Sequence, residues 1–185
     1  TMMQAIYGTP LQWVVMLAPI GLVFFLAAKV PSMKASTGQA LFWLYAGLMG
    51  LSLAYIFAVY TGESVARVFF ITAGAFAGLS LYGYTTKKDL SGMGSFLIMG
   101  VIGILIAAVV NMFLESSALQ FAISVIGVLV FAGLTAYDTQ RIKSMYYAGD
   151  TAEAAEKKAI MGALTLYLDF INMFIFLLHL FGNRE

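Results

Sequence analysis

The chain alternates long apolar runs with short polar breaks, and six runs can be traced along it. Each is roughly 18 to 23 residues long, enough for an α-helix to cross about 30 Å of hydrocarbon. The first spans Leu11 to Ala28 and is closed by Lys29 and by Pro31, which cannot continue a helix. The second, Gly38 to Tyr60, places Trp43 and Tyr60 near its ends as interfacial anchors, and Thr61, Gly62 and Glu63 interrupt it. The third, Val68 to Thr86, carries Gly74, Ala75, Ala77 and Gly78, a run of small residues that predicts close helix packing. Lys87, Lys88 and Asp89 close it. The fourth spans Gly94 to Leu114, with Gly100, Gly103 and the amide Asn111, and Glu115 to Ser117 form a tight polar turn. The fifth starts at Ala118 and reaches Gln140; Asp138, Arg141 and Lys143 continue a helix-compatible pattern toward a stop at Gly149 and Asp150. Thr151 to Lys158 is a charged amphipathic lead-in to the sixth, Ala159 to Phe181, which has Asp169 at its middle. The pattern predicts an all-α integral membrane protein with six visible transmembrane helices, forming one transmembrane helical domain over residues 1–185.

Composition agrees, because 62% hydrophobic residues against 10% charged ones cannot cover a water-soluble surface. A net charge of +1 without a strongly basic stretch gives no ground for nucleic-acid binding. The absence of cysteine excludes disulfides, thiolate nucleophiles and cysteine-bound metal. Thr1 to Pro10 has no basic segment leading into a short apolar core, so it does not read as a signal peptide. Loop charges predict orientation, since Lys and Arg are retained on the cytoplasmic side. Lys29, Lys34, Lys87, Lys88, Arg141, Lys143, Lys157 and Lys158 fall on one face, and only Arg67 and Arg184 on the other. The first residues and the C-terminus are therefore expected on the outer face. A further transmembrane helix before Thr1 would make seven spans and a cytoplasmic N-terminus.

An ionisable side chain inside a transmembrane helix costs about 2.5–3.5 kcal/mol even on the lenient insertion scale, so Asp169 is the strongest chemical signal in the chain. Asp138 lies about ten residues, or roughly 15 Å, from the cytoplasmic turn, and Asp169 lies a similar distance from Lys158. The fifth and sixth helices are joined by a short loop, so their carboxyl groups can face each other. Two carboxylates at short range in a low dielectric do not both ionise cheaply, so a shared proton is expected and the pair reads as a pH sensor. Tyr137, Thr165, Tyr167 and Asn172 lie within a turn of the pair and are candidates to supply further hydrogen bonds. Blander readings are that Asp138 pairs with Arg141 at i,i+3 and that Asp169 makes a structural interhelical hydrogen bond. His179, near a helix end, reads as an interfacial residue, and without a second histidine a zinc site is not expected. Asn111, Gln120 and Ser124 read as polar glue between helices, and the methionines as core filling. No nucleophile elbow, P-loop or dinucleotide fingerprint is present, and no enzyme activity is expected.

The segments Gly133 to Lys143 (GLTAYDTQRIK) and Ala163 to Asn172 (ALTLYLDFIN) together resemble the transmembrane Bax inhibitor motif family, in its bacterial members. Ser80 to Asp89 (SLYGYTTKKD) and Met93 to Phe96 extend the resemblance over the chain. It implies a seven-helix bundle whose last helix is wrapped by the other six, the first helix being absent here. It also implies a multi-pass protein of the bacterial inner membrane that acts as a pH-sensitive calcium leak channel. The family's di-aspartyl sensor and ion path then correspond to Asp138 and Asp169, supported by Arg141, Tyr137, Tyr167, Asn172 and Thr165. A latching basic residue corresponds to Lys29, where the family carries arginine; lysine offers a point charge rather than a bidentate fork. Protonation of the pair would change its attraction to Lys29 and release the cytoplasmic end of the first span. Calcium takes six to eight oxygens, so two aspartates with water make a weak site, as a permeant ion requires. No cofactor is implied beyond calcium as the permeant ion, and the partners implied are the bilayer, calcium and protons. Two other readings stand: a non-conducting regulator or partner in membrane-protein quality control, docking through Thr151 to Lys158, and a proton-coupled transporter, which would call for internal symmetry.

Overall fold

The computed structural model describes residues 9–184 of the chain. The stretch from Thr1 to Gly8, read above as lacking a signal peptide, lies outside the described residues. The helices are α1 (Leu11–Lys29), α2 (Ala35–Ser52), α3 (Ile56–Val59), α4 (Gly62–Thr85), α5 (Met93–Leu114), α6 (Ser117–Ser144) and α7 (Ala152–Phe181). Among the described residues, extended pairing is limited to an antiparallel bridge between Tyr60 and Arg184.

Among the described residues, five helical segments are long and apolar enough to cross a bilayer: Ala35–Val59, Gly62–Thr85, Met93–Leu114, Ser117–Ser144 and Ala152–Phe181. Gly21–Ser32 is a shorter apolar stretch. The protein is thus an all-α, multi-pass membrane protein. Its surface carries large apolar side chains such as Phe70, 73% exposed, and Phe113, 83% exposed, while Ser64, Thr72, Ser124, Thr135, Asp138 and Asp169 are buried. That inside-out distribution suits a hydrocarbon solvent, in which exposed apolar side chains carry no penalty and polar ones must find partners inside.

Local chemistry sets the boundaries. The Thr61 hydroxyl accepts the Ser64 N–H at 3.3 Å to cap α4, and Ser116 accepts the Leu119 N–H at 3.2 Å to cap α6. Between α5 and α6, Glu115 adopts a left-handed conformation (φ 49°) and donates its N–H to the Asn111 carbonyl. Asn111 Oδ1 in turn accepts the Ser116 N–H at 2.9 Å, so this amide serves the turn as well as the helix interface. Two differences from the sequence reading concern continuity. The second apolar run is broken by a 3-10 turn over Leu53–Tyr55, and the charged lead-in before Ala159 is already the first turns of α7.

The chain divides into two compact units. One holds the residues up to Val59 and Tyr147–Leu164; the other holds Tyr60–Tyr146 and Thr165–Arg184. In the first, α1 packs on α2, and Gly38 lies against Val30 and Ile160. The charged start of α7 is tied in: Glu153 accepts the Ala35 N–H at 2.8 Å, and Lys158 pairs with Asp150 at 2.6 Å.

In the second unit α6 packs against both α4 and α5. Close approach is made possible by glycines: a Cβ on Gly83 would collide with the Ala136 carbonyl, one on Gly94 with the Tyr137 hydroxyl, and one on Gly127 with the Phe176 ring. Gly74 and Gly78, by contrast, meet nothing within 4 Å, and with Ala75 and Ala77 they are exposed. Close packing of α4 therefore lies on another face from the small-residue run, because Val68 and Thr72 before it and Gly83 after it form the buried stripe and the run lies off it. Phe69 and Phe76 of α4 make edge-on contacts with Phe170 of α7, and Phe131 of α6 stacks on Phe176.

Candidate functional site: a buried carboxyl pair

Asp138, on α6, and Asp169, on α7, both belong to the second unit. They are 5% and 4% exposed, and their carboxyl groups lie within hydrogen-bonding reach of each other. Asp138 stands two residues after Ala136, where α6 meets Gly83 of α4, so the same backbone approach that seats α6 fixes its carboxyl. Asp169 is held by its neighbours on α7, with Phe170 against α4 on one side and the buried Met173 one turn along.

Several polar side chains on α4, α6 and α7 are committed to backbone carbonyls of their own helices. Thr135 donates to the Phe131 carbonyl at 2.8 Å and Thr139 to the Thr135 carbonyl at 2.7 Å. Thr72 likewise donates to Val68 at 2.8 Å, and Asn172 donates through Nδ2 to the Leu168 carbonyl at 2.8 Å. Each hydroxyl has one hydrogen to give, so these threonines offer the carboxylates no donor. Asp169 Oδ2 is buried and without a hydrogen-bond partner among the described residues. Two acceptor groups facing one another can bond only through a hydrogen that one of them carries. The arrangement is therefore suited to holding a proton between two carboxyl oxygens.

The other residues singled out from the sequence fall in several places. Arg141 is exposed one turn beyond Asp138, and the two form no salt bridge. Asp138 faces Asp169 instead. Tyr137 points its hydroxyl at Gly94, toward the start of α5. Thr165 and Tyr167 are half-buried on α7, and Lys29 ends α1, exposed, in the other unit. Among the described residues no histidine and no third acidic side chain joins the pair. Asn111, Gln120, Ser124 and His179 come together as a second polar cluster, with Gln120 Nε2 3.4 Å from both Ser124 Oγ and His179 Nδ1. Sequence reasoning passed over Thr135 and Gly83. A glycine between Tyr82 and Tyr84, facing a span that bears an intramembrane acid, is the signal that could have found the latter.

The sequence model of the family described as "Inhibitor of apoptosis-promoting Bax1" matches residues 1–185. The chain belongs to the Bax inhibitor family. It is 52% identical over 171 residues to the inner membrane protein YbhL of Escherichia coli (strain K12), covering 91% of this chain and 73% of that protein. It is 51% identical over 184 residues to the uncharacterized protein RP147 of Rickettsia prowazekii (strain Madrid E), covering 100% of this chain and 76% of the other. An uncharacterized protein of Caulobacter vibrioides is 55% identical over 180 residues, covering 96% of this chain and 72% of its own length. Within this Bax inhibitor family chain, both aspartates fall in the matched region.

Proposed function

We propose that this protein is a pH-sensitive calcium leak channel gated by protonation of the Asp138–Asp169 pair. The observation that carries the reading is the burial of two carboxyl groups against each other inside membrane-spanning helices, with Asp169 Oδ2 lacking any partner among the described residues. An intramembrane acid is costly to place and is ordinarily kept for an ion or proton path. Gaining or losing one proton changes the charge of the pair by one and makes or breaks its mutual hydrogen bond, which is a local event able to bias two packings of α6 and α7. Two carboxylates supply few of the six to eight oxygens that calcium takes, so the site is weak and suited to passage rather than storage. In this reading the protein is a passive conduit and not an enzyme. It needs no cofactor, calcium is the permeant ion, and the Lys- and Arg-rich loops face the cytoplasm of a bacterial inner membrane.

The test is calcium flux into liposomes holding the purified complete protein, followed from mildly acidic to mildly alkaline pH. Wild type should show a sigmoidal pH dependence that Asp138→Asn and Asp169→Asn each flatten. An absence of flux at every pH, or a profile unchanged in both variants, overturns the gated leak. A non-conducting role in partner binding would then be the better reading.

A further inference from the structure

We propose that the cleft between the α4–α5 loop and the C-terminal end of α6 is a binding site for a phosphate group, presented by an anionic phospholipid or by a soluble phosphate compound. The cleft encloses about 370 Å³, within the range of small-ligand pockets of about 300–1,000 Å³. Three cations line it: Lys87 and Lys88 from the loop, and Arg141 from α6. None of the three makes a salt bridge with a described residue, whereas Lys157 and Lys158 elsewhere do.

The one acid in the cleft, Asp89, is turned to its own loop. Its Oδ1 accepts the Ser91 N–H at 3.0 Å and the Ser91 hydroxyl at 2.7 Å. Those two bonds hold the Asp89 carboxyl below the usual carboxylate range, so it stays ionised, and its one negative charge stands against the three positive charges of Lys87, Lys88 and Arg141. The lining therefore keeps a positive excess.

Retention of the loop on the cytoplasmic side would explain basic residues there, but not the way the loop is held. Gln140 of α6 donates to the Lys88 carbonyl at 2.8 Å and accepts the Leu90 N–H at 2.8 Å, and Leu90 itself is buried. Lys143, the next basic residue on α6, is withdrawn from the cleft to the Tyr84 carbonyl at 2.7 Å. The loop is thus pinned at its middle with Lys87 and Lys88 facing the Arg141 turn. A preorganised set of cations loses less freedom on binding, and arginine adds a planar fork suited to phosphate oxygens. The loop joins the ends of two membrane-spanning helices, which puts the cleft at headgroup level, where basic pockets take anionic lipid.

The experiment measures binding to the complete detergent-purified protein by native mass spectrometry and thermophoresis. The probes are short-chain phosphatidylglycerol, short-chain phosphatidylcholine and inorganic phosphate. Saturable binding of phosphatidylglycerol in preference to phosphatidylcholine is expected. Lys87→Gln, Lys88→Gln and Arg141→Gln, all at exposed positions, should each weaken it about fivefold. Arg67→Gln, exposed near the other end of α4, should leave it unchanged. Lipid binding that inorganic phosphate does not displace assigns the site to a headgroup. Direct binding and competition by inorganic phosphate assign it to a soluble compound. Equal binding of the two lipids with no phosphate binding overturns the proposal, as does binding that the three cleft variants weaken no more than Arg67→Gln.

Discussion

Replacing Gly83 by alanine tests whether the backbone contact between α4 and α6 positions the carboxyl pair. An alanine Cβ there would overlap the Ala136 carbonyl oxygen and come within 2.9 Å of its carbon and 3.0 Å of its Cα. Carbon atoms pack at about 3.5–4.0 Å, so the two helices must part by roughly 0.5–1 Å. Every atom in the way is helix backbone, so no side-chain rotation relieves the overlap. Overpacking of this kind costs about 1–3 kcal/mol, and alanine returns about 0.5–1 kcal/mol of helix propensity. The difference of those two ranges is a net loss of about 0–2.5 kcal/mol, centred at about 1 kcal/mol. Gly74→Ala and Gly78→Ala are the internal controls, because open space surrounds both and only the propensity gain applies. The assay is thermal unfolding in detergent followed by circular dichroism, with the two controls expected at or above wild type and Gly83→Ala below it. Since Ala136 lies two residues before Asp138, the same variant should also disturb the pH profile of calcium flux. Equal stability of Gly83→Ala and Gly74→Ala would refute the packing argument.

Two further outcomes follow from side-chain bonds. Ser91→Ala removes the largest cause of Asp89's lowered pKa, so its carboxyl should titrate closer to the ordinary 3.8, read by NMR of a labelled aspartate. A depressed folded-state value means that this bond stabilises the loop above the ordinary pKa and that its contribution is lost as pH falls through the folded one; Ser91→Ala, which keeps the backbone bond, should reduce that acid sensitivity. Gln120→Leu should cost no more than about 1 kcal/mol in the same unfolding assay, because its bonds to Asn111, Ser124 and His179 are long, at 3.4–3.5 Å. A larger loss would mean that this cluster is a structural centre in its own right.

What could be read from the sequence, and what could not, divides along a physical line. Hydrocarbon imposes a length and a polarity on any helix that crosses it, so membrane-spanning helices show as runs, and an acid in mid-run, such as Asp169, stands out against its own surroundings. These signals are local. Direction around a helix axis is not, and the sequence reading was weakest there. Tyr137 is adjacent to Asp138 in the chain, yet it points at Gly94, and Asn172 spends its amide on Leu168 one turn back. Gly74 and Gly78 fit a packing pattern by composition, but the stripe that α4 buries runs through Val68, Thr72 and Gly83. Lys87, Lys88 and Arg141 carried orientation information singly, because retention on one side of a membrane depends on charge and not on where the charges meet. That they line one cleft depends on Gln140 pinning a loop fifty positions earlier, a long-range pairing that no spacing rule encodes. The carboxyl pair joins the two kinds of information. Its members are visible one by one from the cost of burying charge, but the pair forms where Gly83 lets α6 approach α4 and where Phe170, the residue after Asp169, packs on α4. A change at either support should therefore alter the site without touching an aspartate.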